Sequence, residues 1–184
     1  MPATRTVLGL SLGALLASAP LLASAPLLPP AVAQQITGSR GRYRASIMVP
    51  VSPQQAWRVL TGYEALVGVM PDIKQARVIS RSGRQLELAQ TYQAAYTFGL
   101  PIKARLRLEE TAPQKLSYSL ISGERIRSLS GSWTITPVPG GIRLEHQIAI
   151  DPDVPGFLRS TYYELSEENL LESMRVLKRL MLKS

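Results

Sequence analysis

The chain has 184 residues, of which 45% are hydrophobic, 18% charged and 6% aromatic, with one His and no Cys. This apolar fraction can form the core of one domain, and it argues against intrinsic disorder. The lack of Cys excludes disulfides, thiolate nucleophiles, iron–sulfur clusters and Cys-based zinc sites, and one His excludes any site that needs two imidazoles. The net charge of +8 favours anionic partners or surfaces without fixing the fold.

The first 33 residues differ in composition from the rest of the chain. They carry a single charge, Arg5, before a long run of Leu, Ala, Ser, Gly and Pro that ends with Ala-Val-Ala at 31–33. This pattern is typical of a secretory signal peptide, so we predict export to a periplasm, a lumen or the exterior after cleavage near Ala33. The alternative is an N-terminal membrane anchor, because the run is long enough to span. Pro20 and Pro26 disfavour a spanning helix.

The segment after residue 33 predicts a leader, a strand and a helix in that order. Residues 34–42 are polar and Gly-rich and are predicted to form a flexible leader. The folded domain is expected to span 43–184 and to begin with a strand over 43–49. Ser52 then has the spacing of an N-cap and Gln55 that of its capping-box partner, which predicts a short helix.

After a second short helix, predicted over 63–69, the hydrophobic pattern changes to period two. The clearest case is 102–109, where apolar residues alternate with Lys103, Arg105 and Arg107. One-sided alternation predicts an antiparallel sheet with one covered and one solvated face. The predicted strands after the helices are 73–80, 85–96, 102–109, 116–120, 129–135 and 142–150.

The chain ends in a long predicted helix, from about Gly156 to Leu182. Tyr163, Met174 and other apolar residues recur there at helical spacing and form one apolar side. This helix is the only predicted element large enough to cover the apolar face of the sheet. The pattern therefore predicts an α+β fold, in which a curved antiparallel sheet of about seven strands wraps around a long C-terminal helix.

This order of elements resembles the START/SRPBCC superfamily, whose members share the helix-grip (START/Bet v 1-like) fold. Residues 49–64, VPVSPQQAWRVLTGYE, are similar to its opening strand and helix, and residues 69–73, VMPDI, to the turn that follows. The chain is most similar to the polyketide cyclase/dehydrase branch, which overlaps the coenzyme-Q-binding START-type proteins. The resemblance covers about 43–182 and implies a hydrophobic cavity for lipids, sterols, quinones or polyketides. It implies no shared catalytic motif.

Several polar side chains fall on the predicted inner face of the sheet, among them Gln90, Tyr92, Tyr118 and His146. A buried polar atom without a partner costs about 1–3 kcal/mol, so four such groups fit a wet or ligand-filled cavity better than a dry core. The residues predicted to contact a ligand are Gln90, Tyr92, Leu106, Tyr118, Trp133, His146, Tyr163 and Met174.

Three functional hypotheses follow. The leading one is an exported carrier for a hydrophobic small molecule, such as a lipid, a quinone or an isoprenoid-like compound. The alternative is a cyclase/dehydratase-type enzyme for a polyketide-like or other apolar substrate, with His146 as its candidate acid or base. The third is an interaction protein whose cavity is incidental. The sequence favours the carrier, because no acid or nucleophile has a spacing that would form a catalytic site with His146.

The outer face of the sheet is predicted to be basic, through Arg77, Lys103, Arg105 and Arg107. Such a face could dock on an anionic membrane surface, although most charged faces are merely solvated. Nucleic acid is not predicted as a partner, because no aromatic residues alternate with these charges. No metal or cofactor is predicted, since neither an Asp-rich loop nor a phosphate-binding Gly-rich loop is present.

Overall fold

The computed structural model describes residues 34–184, so the signal peptide predicted over 1–33 lies outside the described residues. The described residues form eight strands: β1 (Gln35–Ser39), β2 (Arg42–Val49), β3 (Ile73–Ser82), β4 (Gln85–Tyr92), β5 (Ile102–Thr111), β6 (Lys115–Gly123), β7 (Ile126–Val138) and β8 (Gly141–Pro152). These strands pair antiparallel in one sheet, in the order β1-β2-β8-β7-β6-β5-β4-β3. The α-helices are α1 (Pro53–Leu60) and α2 (Arg159–Lys183).

Strand β1 replaces the flexible leader that the sequence predicted. It pairs with β2 from Gln35 opposite Ser46 to Ser39 opposite Arg42, and a tight turn joins the two strands. The prediction was wrong because β1 is an exposed edge strand held mainly by backbone hydrogen bonds. It packs a single apolar side chain, Ile36, against the core, and one such residue leaves no alternating pattern in the sequence. It raises the number of strands from about seven to eight.

Helix α1 begins as predicted, but its capping box is incomplete. The hydroxyl of Ser52 accepts a hydrogen bond from the backbone N–H of Gln55 at 3.2 Å. The Gln55 side chain does not return this bond. Its amide donates to the carbonyl oxygens of Met181 and Ser184, each at 2.7 Å, where the end of α2 leaves carbonyls without helical partners. Gln55 therefore ties α1 to the last turn of α2.

Two predicted elements differ in the structure. Residues 63–69 form successive turns instead of a second helix, and Gly68, with φ 74°, takes a left-handed conformation that a regular helix does not allow. Strand β4 ends at Tyr92, four residues earlier than predicted, and a 3₁₀ turn at Ala95–Thr97 follows it. Both segments reach the wall of the cavity described below.

The strand register places several connections at one end of the sheet. Its pairs include Ile73 with Tyr92, Ala104 with Gly123, and Ile126 with Pro152. Residues 69–72, 93–101, 124–125 and 153–158 therefore lie together, and we call them the loop end. Helix α2 starts at this end, after a 3₁₀ turn at Gly156–Leu158, and finishes at the opposite end beside α1.

Helix α2 covers the inner face of the sheet. Its buried residues Leu170, Met174, Leu177 and Met181 are spaced three or four apart and join the inner side chains of the strands in one core. The helix-grip fold expected from the sequence is confirmed. Within residues 34–184, no helix is both long enough and apolar enough to cross a membrane.

Candidate ligand-binding site

The sheet, α2 and the segment between α1 and β3 surround a cavity of about 190 Å³. Its wall consists mainly of Leu, Ile and aromatic side chains, with a few polar ends. An empty apolar space of this size would cost about 5 kcal/mol at roughly 24 cal/mol per Å³. Since domains have only about 5–15 kcal/mol of stability, such a cost is large. The cavity is therefore a candidate site for a small apolar ligand.

Six of the eight residues predicted to contact a ligand lie on this wall, and two do not. Those on the wall are Gln90, Tyr92, Leu106, Tyr118, Trp133 and His146, and their part in binding stays a prediction. Met174 is fully buried in the core and Tyr163 lies off the cavity wall, so neither residue lines the cavity as the sequence predicted.

The helix register explains the error at Tyr163. Adjacent residues of an α-helix differ by about 100° around its axis, so Tyr162 and Tyr163 face different surroundings. Tyr162 is 2% exposed, lines the cavity and meets Tyr96 edge to face, with ring centroids 5.6 Å apart. The backbone carbonyl of Tyr163 instead accepts a hydrogen bond from Tyr43 at 3.1 Å. The prediction therefore chose Tyr163 as the inward-facing residue, whereas Tyr162, one position earlier, faces the cavity.

His146 lies at the centre of a polar and aromatic cluster on the inner face. Its Nε2 is 2.8 Å from the hydroxyl of Tyr118, and its ring stacks on Trp133 with centroids 3.8 Å apart and an angle of 5°. The register produces the stack, since Trp133 on β7 lies directly opposite His146 on β8. The other ring nitrogen, Nδ1, is buried without a hydrogen-bond partner in the described part of the chain.

Burial determines the chemistry of this cluster. It lowers the pKa of His146 to about 3, so the imidazole is neutral at physiological pH. Burial also raises the pKa of Tyr118 well above its ordinary value. A general base is most effective with a pKa near the working pH, and no carboxylate of residues 34–184 is hydrogen-bonded to His146. The cluster can form neutral hydrogen bonds, but it is badly suited to proton transfer.

Gly131 gives Tyr118 the room to reach His146. The two residues lie opposite each other on β7 and β6, and the Tyr118 side chain lies across the inner side of Gly131. A Cβ atom at residue 131 would collide with the Tyr118 hydroxyl and with the backbone carbonyl of Gln147. This position therefore needs glycine for close approach rather than for an unusual backbone angle.

A second polar cluster lies at the loop end, and the sequence did not predict it. The Asp72 carboxylate, through Oδ2, accepts hydrogen bonds from the hydroxyl of Tyr96 at 3.0 Å and from the amide of Asn169 at 3.1 Å. All three residues line the cavity. Burial raises the pKa of Asp72, although these two hydrogen bonds oppose the shift. Asp72 and Tyr96 lie in irregular segments, where no periodic pattern shows which way a side chain points.

Polar pairs also hold other parts of the wall in place. The Tyr92 hydroxyl donates a short hydrogen bond to the side chain of Gln90, and burial raises the pKa of Tyr92. The Tyr63 hydroxyl donates to Glu110 at 2.6 Å, and Arg81 donates two bonds to the same carboxylate. Burial opposes ionisation of Glu110, but Arg81 and Tyr63 outweigh it and lower its pKa. This cluster fastens the segment after α1 to β3 and β5.

The predicted basic residues are exposed on the outer face, away from the cavity. These are Arg77 on β3 and Lys103, Arg105 and Arg107 on β5. Arg105 forms an ion pair with Glu87 at 2.7 Å, so part of this charge is compensated locally. Docking of the outer face on an anionic membrane stays a prediction. In the range 34–184, no three acidic or His side chains gather to hold a metal ion.

The architecture and the cavity together define a helix-grip protein built around a largely apolar site. The sequence model for polyketide cyclase / dehydrase and lipid transport matches residues 49–175. The chain therefore belongs to this family, as the resemblance in its opening segment predicted. No curated protein matches the sequence.

Solved structures with the same fold come from several bacteria. TTHA0849 from Thermus thermophilus has a TM-score of 0.68 and 19% identity, over 76% of this chain and 96% of that one. Zhui aromatase/cyclase from a Streptomyces species has a TM-score of 0.64 and 12% identity, over 80% and 93%. A STAR-related lipid transfer protein from Xanthomonas axonopodis has a TM-score of 0.63 and 15% identity, over 80% and 89%. At these identities the likeness shows a common fold.

We expect Gly131→Ala to destabilise the protein by about 1–3 kcal/mol, because the new methyl group must displace Tyr118 or the β8 backbone. Gly156→Ala is the matched control, since a Cβ there meets no atom within 4 Å. The control should change the free energy of unfolding by less than about 0.5 kcal/mol. Urea denaturation of the two variants measures both effects. Equal stabilities would contradict the proposed packing of Tyr118.

The low pKa of His146 predicts a loss of stability in acid. Below about pH 6.5 the unfolded chain takes up a proton that the folded chain accepts only near pH 3, so unfolding becomes easier as the pH falls. Between pH 7 and pH 4 this amounts to about 3 kcal/mol. His146→Gln should remove this part of the pH dependence, measured as the difference between its denaturation curves and those of the unchanged protein. Parallel pH profiles would show that His146 is not held neutral by burial.

Proposed function

We propose that the protein is a carrier, which holds a hydrophobic small molecule in the cavity between the sheet and α2. The cavity of about 190 Å³ with its largely apolar wall supports this proposal. Burial of an apolar ligand gains roughly 25 cal/mol per Å² and also removes the cost of an empty cavity. The family description includes lipid transport, and a structural neighbour is a STAR-related lipid transfer protein. Lipids, quinones and isoprenoid-like compounds are the candidate ligands.

The volume of the cavity favours a small ligand or one segment of a larger one. Ligand pockets of drug-sized molecules have volumes of about 300–1,000 Å³, whereas an apolar cavity of about 150 Å³ holds benzene. The present cavity fits a body of one or two rings, or a short branched chain, without rearrangement. A longer ligand would require movement of α2 or of the loop end.

The cyclase/dehydratase alternative has less support from the site. An acid–base mechanism needs a group that exchanges protons near neutral pH, and the pKa of His146 is about 3. Burial raises the pKa of the wall tyrosines Tyr92 and Tyr118 still further from neutrality. Burial also raises the pKa of Asp72, but this carboxyl group accepts hydrogen bonds from Tyr96 and Asn169, which oppose the shift. The Zhui aromatase/cyclase has a similar backbone at 12% identity, which carries no information on catalysis in this chain.

We also propose that the carrier is exported. The composition of residues 1–33 supports export: one positive charge, an apolar run and an A-x-A sequence that ends at Ala33. The proposal predicts that Edman sequencing or mass spectrometry of the protein from its own cells finds a mature chain starting at Gln34. A mature chain that retains Met1 and sits in a membrane fraction would favour the anchor instead.

Filling the cavity should abolish binding of an apolar probe. Ser173 lines the cavity on α2 and is 6% exposed, so Ser173→Phe places a ring in the space that a ligand would occupy. Ser160, near the exposed start of the same helix, provides the matched control Ser160→Phe. We expect naphthalene to bind the unchanged protein and the control alike in calorimetry, and Ser173→Phe to lose at least about tenfold in affinity. Unchanged binding in Ser173→Phe, with the variant folded by circular dichroism, would place the ligand elsewhere.

A further inference from the structure

The charge of the cavity wall differs from the charge of the protein. The chain carries a net charge of +8, yet no Lys or Arg side chain of the described residues lines the cavity. The single carboxyl group on the wall, within the described part of the chain, is that of Asp72. His146, the other candidate for a charge, is neutral at physiological pH. An anionic ligand would therefore find no partner inside a protein whose surface is strongly basic.

Asp72 is positioned to meet the polar end of a ligand. Its Oδ2 already accepts two hydrogen bonds, from Tyr96 and Asn169, which fix the carboxyl group between the loop end and α2. No side chain of residues 34–184 donates to Oδ1, and the remaining donor near the carboxyl group is the Asp72 backbone N–H, which helps to lower its pKa. Burial raises the pKa of the nearby tyrosines Tyr92, Tyr96, Tyr118 and Tyr162, and the negative charge of Asp72 adds to each shift.

The aromatic rings around Asp72 support the same preference. Tyr96 and Tyr162 meet edge to face at 5.6 Å, and both line the cavity with Tyr92. The faces of such rings carry partial negative charge, which attracts cations and hydrogen-bond donors and disfavours anions. A carboxylate and several aromatic rings around one apolar space therefore favour the same kind of ligand end.

We propose that the cavity selects ligands whose polar end donates a hydrogen bond to Asp72, as a hydroxyl or an ammonium group does, and rejects ligands that end in a carboxylate. This inference rests on the proposed function and names the class of ligand. A donor end can use Oδ1 without displacing Tyr96 or Asn169. A carboxylate would add a second negative charge beside Asp72. No Lys or Arg of the described residues lines the cavity to balance it, and Lys74, which helps to lower the pKa of Asp72, lies outside the cavity wall. An unbalanced buried charge is strongly unfavourable.

Four naphthalene compounds of nearly equal size test the proposal by calorimetry at pH 8: naphthalene, 2-naphthalenemethanol, 2-naphthalenemethylamine and 2-naphthoic acid. We expect the alcohol and the amine to bind at least about tenfold more tightly than the acid, with naphthalene itself bound detectably. An acid that binds as well as the alcohol and the amine would overturn the proposal and leave the carrier function intact. If none of the four compounds binds, the carrier function itself is contradicted.

The variant Asp72→Asn assigns the preference to the carboxyl group. The Asn side-chain oxygen can still accept from Tyr96 and Asn169, so the variant keeps the cluster and loses the negative charge. We expect the affinity for the amine to fall about tenfold, to near that of naphthalene, while the alcohol changes by less than about threefold. Asp153→Asn is the matched control, because Asp153 also lies at the loop end but is exposed and ion-paired with Arg127. The control should leave all four affinities unchanged.

If Asp153→Asn lowers the amine affinity as much as Asp72→Asn does, the selectivity arises from charges at the protein surface and not from the cavity. That result would overturn the proposal. The unchanged protein gives the decisive ranking of the four compounds by itself, so the test survives if Asp72→Asn folds badly.

Discussion

The structure depends on a mismatch between one wide sheet and one narrow helix. Eight strands at about 4.8 Å spacing make a sheet roughly 34 Å wide, whereas a helix with its side chains is about 10–12 Å across. A single α2 can cover the apolar face only if the sheet bends around it, and α1 with the segment that follows covers one further part. Side chains of ordinary size do not fill all of the remaining space. The cavity is thus a consequence of covering this sheet with so few elements.

Burial disfavours the charged forms of both His146 and Asp72, but their neighbours differ. It lowers the pKa of His146, and no carboxylate of residues 34–184 is hydrogen-bonded to the imidazole to oppose this shift, so the imidazole is neutral. It raises the pKa of Asp72, but Tyr96 and Asn169 donate hydrogen bonds that favour the carboxylate. The wall is therefore uncharged around His146 and acidic at Asp72, in spite of the basic surface. Because an apolar wall with one acidic group suits an apolar molecule with one hydrogen-bond donor, the electrostatics of the cavity and its shape lead to the same class of ligand.

Most of the fold could be predicted from the sequence because the strands are half buried. Alternation in β6, β7 and β8 shows which side chains face inward, and this rule placed Tyr118, Trp133 and His146 on the cavity wall. The errors occur where no such rule exists. The edge strand β1 packs only Ile36 against the core, and the face of α2 is set by tertiary contacts that shift the inward residue from Tyr163 to Tyr162.

The polar cluster at the loop end is another feature that the sequence pattern could not predict. Asp72, Tyr96 and Asn169 belong to three separate segments. The strand register brings the first two segments together, and the packing of α2 against them adds Asn169. A sequence pattern of period two or 3.6 cannot report such a meeting, because it describes one element at a time. The sequence pattern therefore predicts the apolar wall of the cavity. It misses the polar residues that would distinguish one ligand from another.

The two polar clusters divide the cavity into ends with different chemistry. Around His146, Trp133 stacks on the imidazole, Tyr118 satisfies Nε2, and the absence of a side chain at Gly131 lets these rings pack closely. This end offers flat aromatic surfaces, with Nε2 of His146 paired to Tyr118 and Nδ1 buried without a partner in the described residues. At Asp72 one carboxyl oxygen has no donor from another side chain of residues 34–184, and the site lies beside the connections of the loop end. For the class of ligand proposed above, we expect the apolar body to lie towards Trp133 and the donor end towards Asp72, because an acidic oxygen binds a hydroxyl or an ammonium group more strongly than a neutral ring nitrogen does.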